Sequence, residues 1–314
     1  MIYLDHAATT PVPKAVADAM YTVLTEQYAN PNAQYPFGQE MRRSVEDWRA
    51  VIAKAVGCEA NQLFFTSCGT EGDNWAIRAA CWQNRHVGRH IVTTAVEHHA
   101  VLNCCQQLEQ EGWEVTTILP DQNGDISAES VLAAVQPDTA LVSVMMVNNE
   151  LGSIYPIADI AKGLKAVNEK TLLHTDAVQG FLKVPFSAKA LGADFIAISG
   201  HKIGAPKGIG ALFVRDSQRQ TLHPPYVGGH QERGMRPGTE NTPYIVGLGL
   251  AAAKGAQRLR TKRLFDGMTA EGKPLHYTKI KNPQAGSHWD RALVAAEGEA
   301  LTADLQRYIA RRGK

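Results

Sequence analysis

The stretch DFIAISGHKIGAPKGIG, Asp194–Gly210, decides how the rest of the chain is read. Its opening, Asp194–Ile198, is an apolar, β-branched run that predicts a buried strand. From Ser199 onward a histidine and a lysine follow the strand directly, and a turn rich in glycine and proline then bars a helix. A surface lysine in a turn is the plainer reading of Lys202. The sharper reading is an amine held at the carboxyl end of a sheet strand, where α/β proteins assemble their sites. There lysine can act as a nucleophile toward a carbonyl.

Outward from this stretch, apolar runs alternate with helical patterns. Leu63–Ser67, His90–Val96, Thr139–Val147, Thr171–Val178, Asp194–Ser199 and Gly210–Arg215 read as strands. Several are apolar throughout, as strands covered on both faces tend to be. Glu46–Val56 and Ile157–Val167 carry helical spacing. The alternation predicts an α/β fold, a mostly parallel sheet with helices on both faces. Val246–Leu259 reads as a further helix, after which the chain turns more polar. The expected division is a large domain over 1–260 and a short, atypical C-terminal segment over 261–314. That segment shows no convincing strand, and Glu299–Arg312 reads as an amphipathic helix.

Composition narrows the function classes. The 314 residues carry a net charge of +1, which gives no electrostatic case for nucleic acid or a membrane surface. No apolar run is long enough to span a bilayer. The opening MIYLDHAATTPVP lacks the basic-then-apolar pattern of a signal peptide. Five cysteines, Cys58, Cys68, Cys81, Cys104 and Cys105, show no zinc spacing and read as reduced thiols of a cytoplasmic protein. HHAVLNCC, His98–Cys105, would need ligands from elsewhere to hold a metal.

Polar groups collect at the strand ends. TSCGTEGDN, Thr66–Asn74, opens a helix with small residues whose free N–H groups can bind an anion, with Thr70 adding a hydroxyl. An ordinary N-cap explains it equally well. Neither the dinucleotide nor the nucleotide-triphosphate glycine fingerprint is present. VEHHA, Val96–Ala100, ends another strand, and VNNE, Val147–Glu150, a third. HTDAVQG, His174–Gly180, places Asp176 at the end of an apolar strand, where a buried carboxylate needs a cationic partner. The protonated ring nitrogen of pyridoxal phosphate would serve. Lys202 would then carry the cofactor, Thr70 and its neighbours would hold its phosphate, and His98 would stack on its ring.

With these residues in place, the chain resembles the NifS-like cysteine desulfurases. They belong to the class V aminotransferases with the type I pyridoxal phosphate fold. The likeness covers roughly the first four-fifths of the chain, judged by motif order. It rests on YLDHAATTP, FTSCGTEGDN, EHHAV, VNNELG, HTDAVQ, SGHKIGAPKGIG and GGHQERGMRPGTEN, in the family's order. The resemblance implies that Lys202 is the cofactor-binding lysine, His98 the ring-stacking and proton-moving histidine, and Asp176 the pyridinium partner. It implies that Gln179 bonds the phenolic oxygen and that Asn149 lies near the same edge and the substrate. Gly69, Thr70, Ser199 and His201 match phosphate-binding positions. Thr239 resembles the threonine that reaches the neighbouring subunit's phosphate, so a homodimer is implied. The activity implied is conversion of L-cysteine to L-alanine, with sulfur passed on to an acceptor protein as in iron–sulfur cluster assembly.

The likeness breaks at the C-terminal side. Family members carry the sulfur-accepting cysteine in a Ser-x-Gly-Ser-Ala-Cys type segment, followed by an arginine for the substrate carboxylate. Neither is visible, and no cysteine follows Cys105. Ala295–Leu305 faintly resembles the segment that normally precedes that loop, so the chain reads as truncated or rearranged past the large domain. Cys68 reads as a small residue of the phosphate loop, and Cys104 and Cys105 as packing residues. A desulfurase of impaired turnover, a degenerate cofactor-binding dimer and another class V reaction all stay open.

Overall fold

The computed structural model describes residues 3–265, 277–278 and 292–293. The chain divides into two compact units, Met1–Ala253 and Lys254–Lys314. The first holds a seven-stranded sheet: β1 Leu63–Thr66, β2 His90–Thr94, β3 Glu114–Ile118, β4 Thr139–Ser143, β5 Leu172–Asp176, β6 Phe195–Ser199 and β7 Gly210–Val214. The strand order is β1-β7-β6-β5-β4-β2-β3. β7 runs antiparallel to both its neighbours, and all other pairings are parallel. The six strands read from the sequence are all present, each ending within a few residues of the expected bounds. β3 was not expected. It is an edge strand of sequence EVTTI, partly exposed along its length, so it lacks the apolar run that marks the others.

The helices are α1 Lys14–Thr25, α2 Pro36–Val56, α3 Gly69–Asn84, α4 His99–Gln110, α5 Ala128–Ala133, α6 Ile157–Val167, α7 Ala188–Leu191, α8 Asp216–Arg219 and α9 Thr242–Phe265. α6 keeps its expected bounds, whereas α2 begins ten residues before Glu46, where Pro36 pre-sets the first turn.

Side-chain alternation sorts the core into two layers. Phe65, Val142, Leu173, Ile196 and Phe213 join the apolar cluster on one face of the sheet, with Ile52 of α2 and Ile160 of α6. Their chain neighbours Phe64, Leu141, Leu172, Phe195 and Leu212 join the cluster on the other face, with Ile77 of α3 and Val101 of α4. The same alternation places His174 and Asp176 on the Leu172 side of β5, toward α3. Because β1, β2, β4, β5 and β6 point the same way, their carboxyl ends meet along one edge of the sheet.

In the second unit, Tyr277–Thr278 and Ala292–Leu293 pair antiparallel. This corrects the expectation of no strand after residue 260; segments of two residues have too little pattern to read from sequence. The expected helix Glu299–Arg312 and the desulfurase-like Ala295–Leu305 lie outside the described residues.

Candidate active site

A cavity of about 640 Å³ opens at the shared strand edge. β6 delivers Ser199, His201 and Lys202 to it. The chain must turn sharply after β6, and a side chain at Gly200 would approach Ile209 and Ala205 to about 3 Å, so glycine fits there and little else does. Lys202 Nζ donates to the carbonyls of Ala7 and Ala8, the latter at 2.9 Å, which ties the N-terminal segment across the cavity. Burial lowers the Lys202 pKa, and the carboxylates of Asp176 and Asp5 partly offset this.

β5 delivers Asp176, which is 4% exposed. One of its oxygens accepts the Val178 N–H at 2.8 Å. Burial, reinforced by Asp73, pushes its pKa from 3.8 to about 7. Gln179 follows, donating to the Ala7 carbonyl at 2.9 Å and accepting from Lys183 Nζ at 2.7 Å.

β1 leads into α3 through Ser67 and Cys68. Cys68 is the N-cap but gives the helix no side-chain cap. Glu71 instead reaches back to the Ser67 N–H at 2.7 Å, and Arg236 clamps the same carboxylate at 2.8 and 3.1 Å. Burial alone would raise the Glu71 pKa, but Arg236 and Ser67 outweigh it and hold the group below its ordinary value. Gly69 and Thr70, the first residues of α3, border the cavity. A side chain at Gly69 would meet Val178 at 2.7 Å, so glycine keeps this cradle open.

α4 begins at the cavity rim. His98 is its N-cap, and His98 Nδ1 accepts the Ala100 N–H at 3.1 Å, which fixes the ring and leaves Nε2 to carry the proton of the neutral form. Asn149 lines the far side and donates to Glu150 at 2.8 Å.

Nine of the ten residues singled out from sequence thus border one cavity: Gly69, Thr70, His98, Asn149, Asp176, Gln179, Ser199, His201 and Lys202. Thr239 stands apart, exposed on the wall of a second, smaller recess with Arg236 and Glu240. Cys68 borders the main cavity; Cys58, Cys81, Cys104 and Cys105 do not. Burial pushes Cys104 to about 11 and Cys58 and Cys105 to about 12, so these are packed thiols.

Sequence reasoning passed over Asp73. It sits on the inward face of α3, 1% exposed, and borders the cavity. It lies three positions after Thr70 among polar helix neighbours, so no local pattern marks it as buried. Glu97 was noticed only as a carboxylate at a strand end. It is buried, accepting from Met145 N at 2.7 Å and Thr94 Oγ1 at 2.8 Å.

The residues present fit pyridoxal phosphate. A buried carboxylate, raised to about 7 and without an ion pair among the described residues, suits a protonated ring nitrogen. The amine of Lys202 borders the same cavity, and the uncapped start of α3 suits a phosphate.

Comparison with known proteins agrees. Residues 2–263 match the family Aminotransferase class-V. "Cysteine desulfurase 2" of Trichormus variabilis is 41% identical over 98% of this chain and 78% of its own length. "Cysteine desulfurase" of a Nostoc species is 47% identical over 80% of this chain, a match that spans 62% of that relative. Among solved structures, one titled "NIFS-LIKE PROTEIN" superposes with a TM-score of 0.80 at 37% identity, covering 84% of this chain and 73% of the other. The chain belongs to the aminotransferase class-V family, among its pyridoxal-phosphate-dependent cysteine desulfurases.

Proposed function

We propose that this chain converts L-cysteine to L-alanine and passes the sulfur to a thiol, which leaves as a persulfide. The observation that carries this reading is the convergence of Lys202, Asp176 and the uncapped start of α3 on one cavity. When bound, pyridoxal phosphate supplies an electron sink that makes the Cα proton of an amino acid acidic. Asp176 would hold the proton on the ring nitrogen. Gly69, Thr70, Ser199 and His201 would hold the phosphate, and His98 would cover the ring face. Gln179 and Asn149 would hold the phenolic edge. Lys202, its pKa lowered by burial, offers a larger share of free amine at neutral pH and can take the proton from Cα.

The reading extends to a cytoplasmic homodimer that hands sulfur to an acceptor protein, as in iron–sulfur cluster assembly. The exposure of Thr239 on a recess separate from its own subunit's cavity supports the dimer reading, in which it would reach a neighbour's phosphate. No helix among the described residues is long and apolar enough to cross a membrane. Sulfur transfer is the step for which the cavity offers least, since Cys68 is the one thiol that borders it and lies at the phosphate end.

The test is a titration of the cofactor-loaded chain with L-cysteine, followed by an alanine assay on the same sample. The visible spectrum should change, and alanine should form more slowly than about one per second. A spectral change with no alanine would leave a cofactor-binding scaffold. Pyruvate in place of alanine would indicate an elimination reaction.

A further inference from the structure

Behind Asp176 lies a buried polar cluster that the proposed chemistry does not use. His174, two residues earlier on β5, points to the same face and is fully buried. His174 Nδ1 meets Ser143 Oγ at 2.8 Å. His174 Nε2 faces Asp73 Oδ1 at 3.4 Å. Neither of those two atoms has a hydrogen-bond partner among the described residues, and both are shielded from water. Each leaves the other as the polar atom within reach, and one proton shared between them would satisfy both.

The surroundings decide where negative charge can reside. Three carboxyl groups share this interior: Asp73 from α3, Glu97 from the link between β2 and α4, and Asp176 from β5. His98 faces Asp176 from the start of α4, and Cys104 of α4 lies within electrostatic reach of Asp73. No lysine or arginine is ion-paired with any of the three acids among the described residues. Three like charges at such spacing in a dry interior repel strongly, so they cannot all be ionised.

We propose that Asp73 is a positioning residue of the cofactor site. It keeps its proton and donates it to His174 Nε2, so that it adds no negative charge beside Asp176, the carboxyl that would hold the ring nitrogen's proton. His174 stays neutral, with its Nδ1 proton donated to Ser143 Oγ. The directions of the proton affinities agree: burial lowers His174 to about 4 and raises Asp73 to about 8. An ionised Asp73 would add a second negative charge beside Asp176 and make the ionised form of Asp176 harder to hold.

This inference rests on the cofactor reading above, and its test separates the two. Asp73→Asn keeps a neutral donor at the same place, whereas Asp73→Ala removes it. With the cofactor bound, Asp73→Ala should weaken retention about tenfold or more, the cost of one lost hydrogen bond to a buried group. It should also move the pH midpoint of the bound chromophore, and Asp73→Asn should restore both to within about threefold of wild type. If Asp73 is instead a carboxylate, Asp73→Asn will behave like Asp73→Ala or worse, and the proposal fails. If it only fills space, Asp73→Ala will lower stability and leave the midpoint in place, which also overturns it.

A second measurement does not depend on the alanine variant folding or on cofactor. Infrared spectra of cofactor-free wild type at neutral pH should contain the C=O stretch of a protonated carboxylic acid that Asp73→Asn lacks. No difference at that band would overturn the proposal even if the chain binds pyridoxal phosphate well. Failure to bind pyridoxal phosphate with the band present would count against the cofactor reading alone.

Discussion

Replacing Asp176 by asparagine should make the cofactor-free protein more stable while damaging its function. The carboxyl binds its proton more tightly in the folded chain, at about 7, than its ordinary value of 3.8. Below pH 3.8 both states are protonated and nothing is lost. As pH rises from 3.8 to about 7 the unfolded chain releases the proton and the folded chain does not, so stability falls. Above about 7 the loss is complete and amounts to about 4 kcal/mol, at about 1.4 kcal/mol for each tenfold change in proton affinity. Asparagine does not titrate and can still accept from the Val178 N–H. At pH 8, Asp176→Asn stripped of cofactor should therefore unfold in urea with a free energy about 2–4 kcal/mol above wild type. At pH 5 the gain should shrink to less than half of that. The same variant should hold pyridoxal phosphate about a hundredfold less tightly, because a buried charge pair loses one member. A variant no more stable than wild type at pH 8 would refute the claim that Asp176 is an unpaired buried acid in the empty site.

Two other substitutions probe the loop that carries Thr239. Glu232 accepts from Arg49 Nη1 and Nη2 at 2.8 and 2.7 Å and from Phe65 N at 2.8 Å, all buried. Glu232→Ala leaves the buried guanidinium with the half-exposed Glu46 as its carboxylate partner and should cost about 3 kcal/mol in urea unfolding; a loss under about 1 kcal/mol would show that the pair does not anchor the loop. Thr239→Ala should weaken cofactor retention without lowering the urea midpoint, and a cofactor-loaded monomer by light scattering would contradict a site shared between subunits.

How much of this was legible in the sequence follows from which forces leave a local mark. The central strands carry unbroken apolar runs because both faces are covered, so Phe195–Ile198 and Ala140–Val142 announce themselves. β3 is half exposed and alternates weakly, so it does not. The polar residues that end those strands were readable because a charge abutting an apolar run is costly unless it has a task. Asp176 and Lys202 are the clearest cases. Asp73 was not readable in the same way. It lies within a helix among polar neighbours, and only the packing of α3 on β5 reveals that it is buried against His174. The tie between Lys202 and the carbonyls of Ala7 and Ala8 joins residues nearly two hundred positions apart, a pairing that no local pattern encodes.

The central claim is that Lys202 is the amine that holds the cofactor. Purified chain loaded with pyridoxal phosphate should be reduced with borohydride, digested and sequenced by mass spectrometry. The account predicts one pyridoxyl-modified peptide, bearing the label on Lys202, and none in Lys202→Ala. A stable reduced adduct in Lys202→Ala, or a label confined to Lys183 or Lys207 in the wild type, would contradict it.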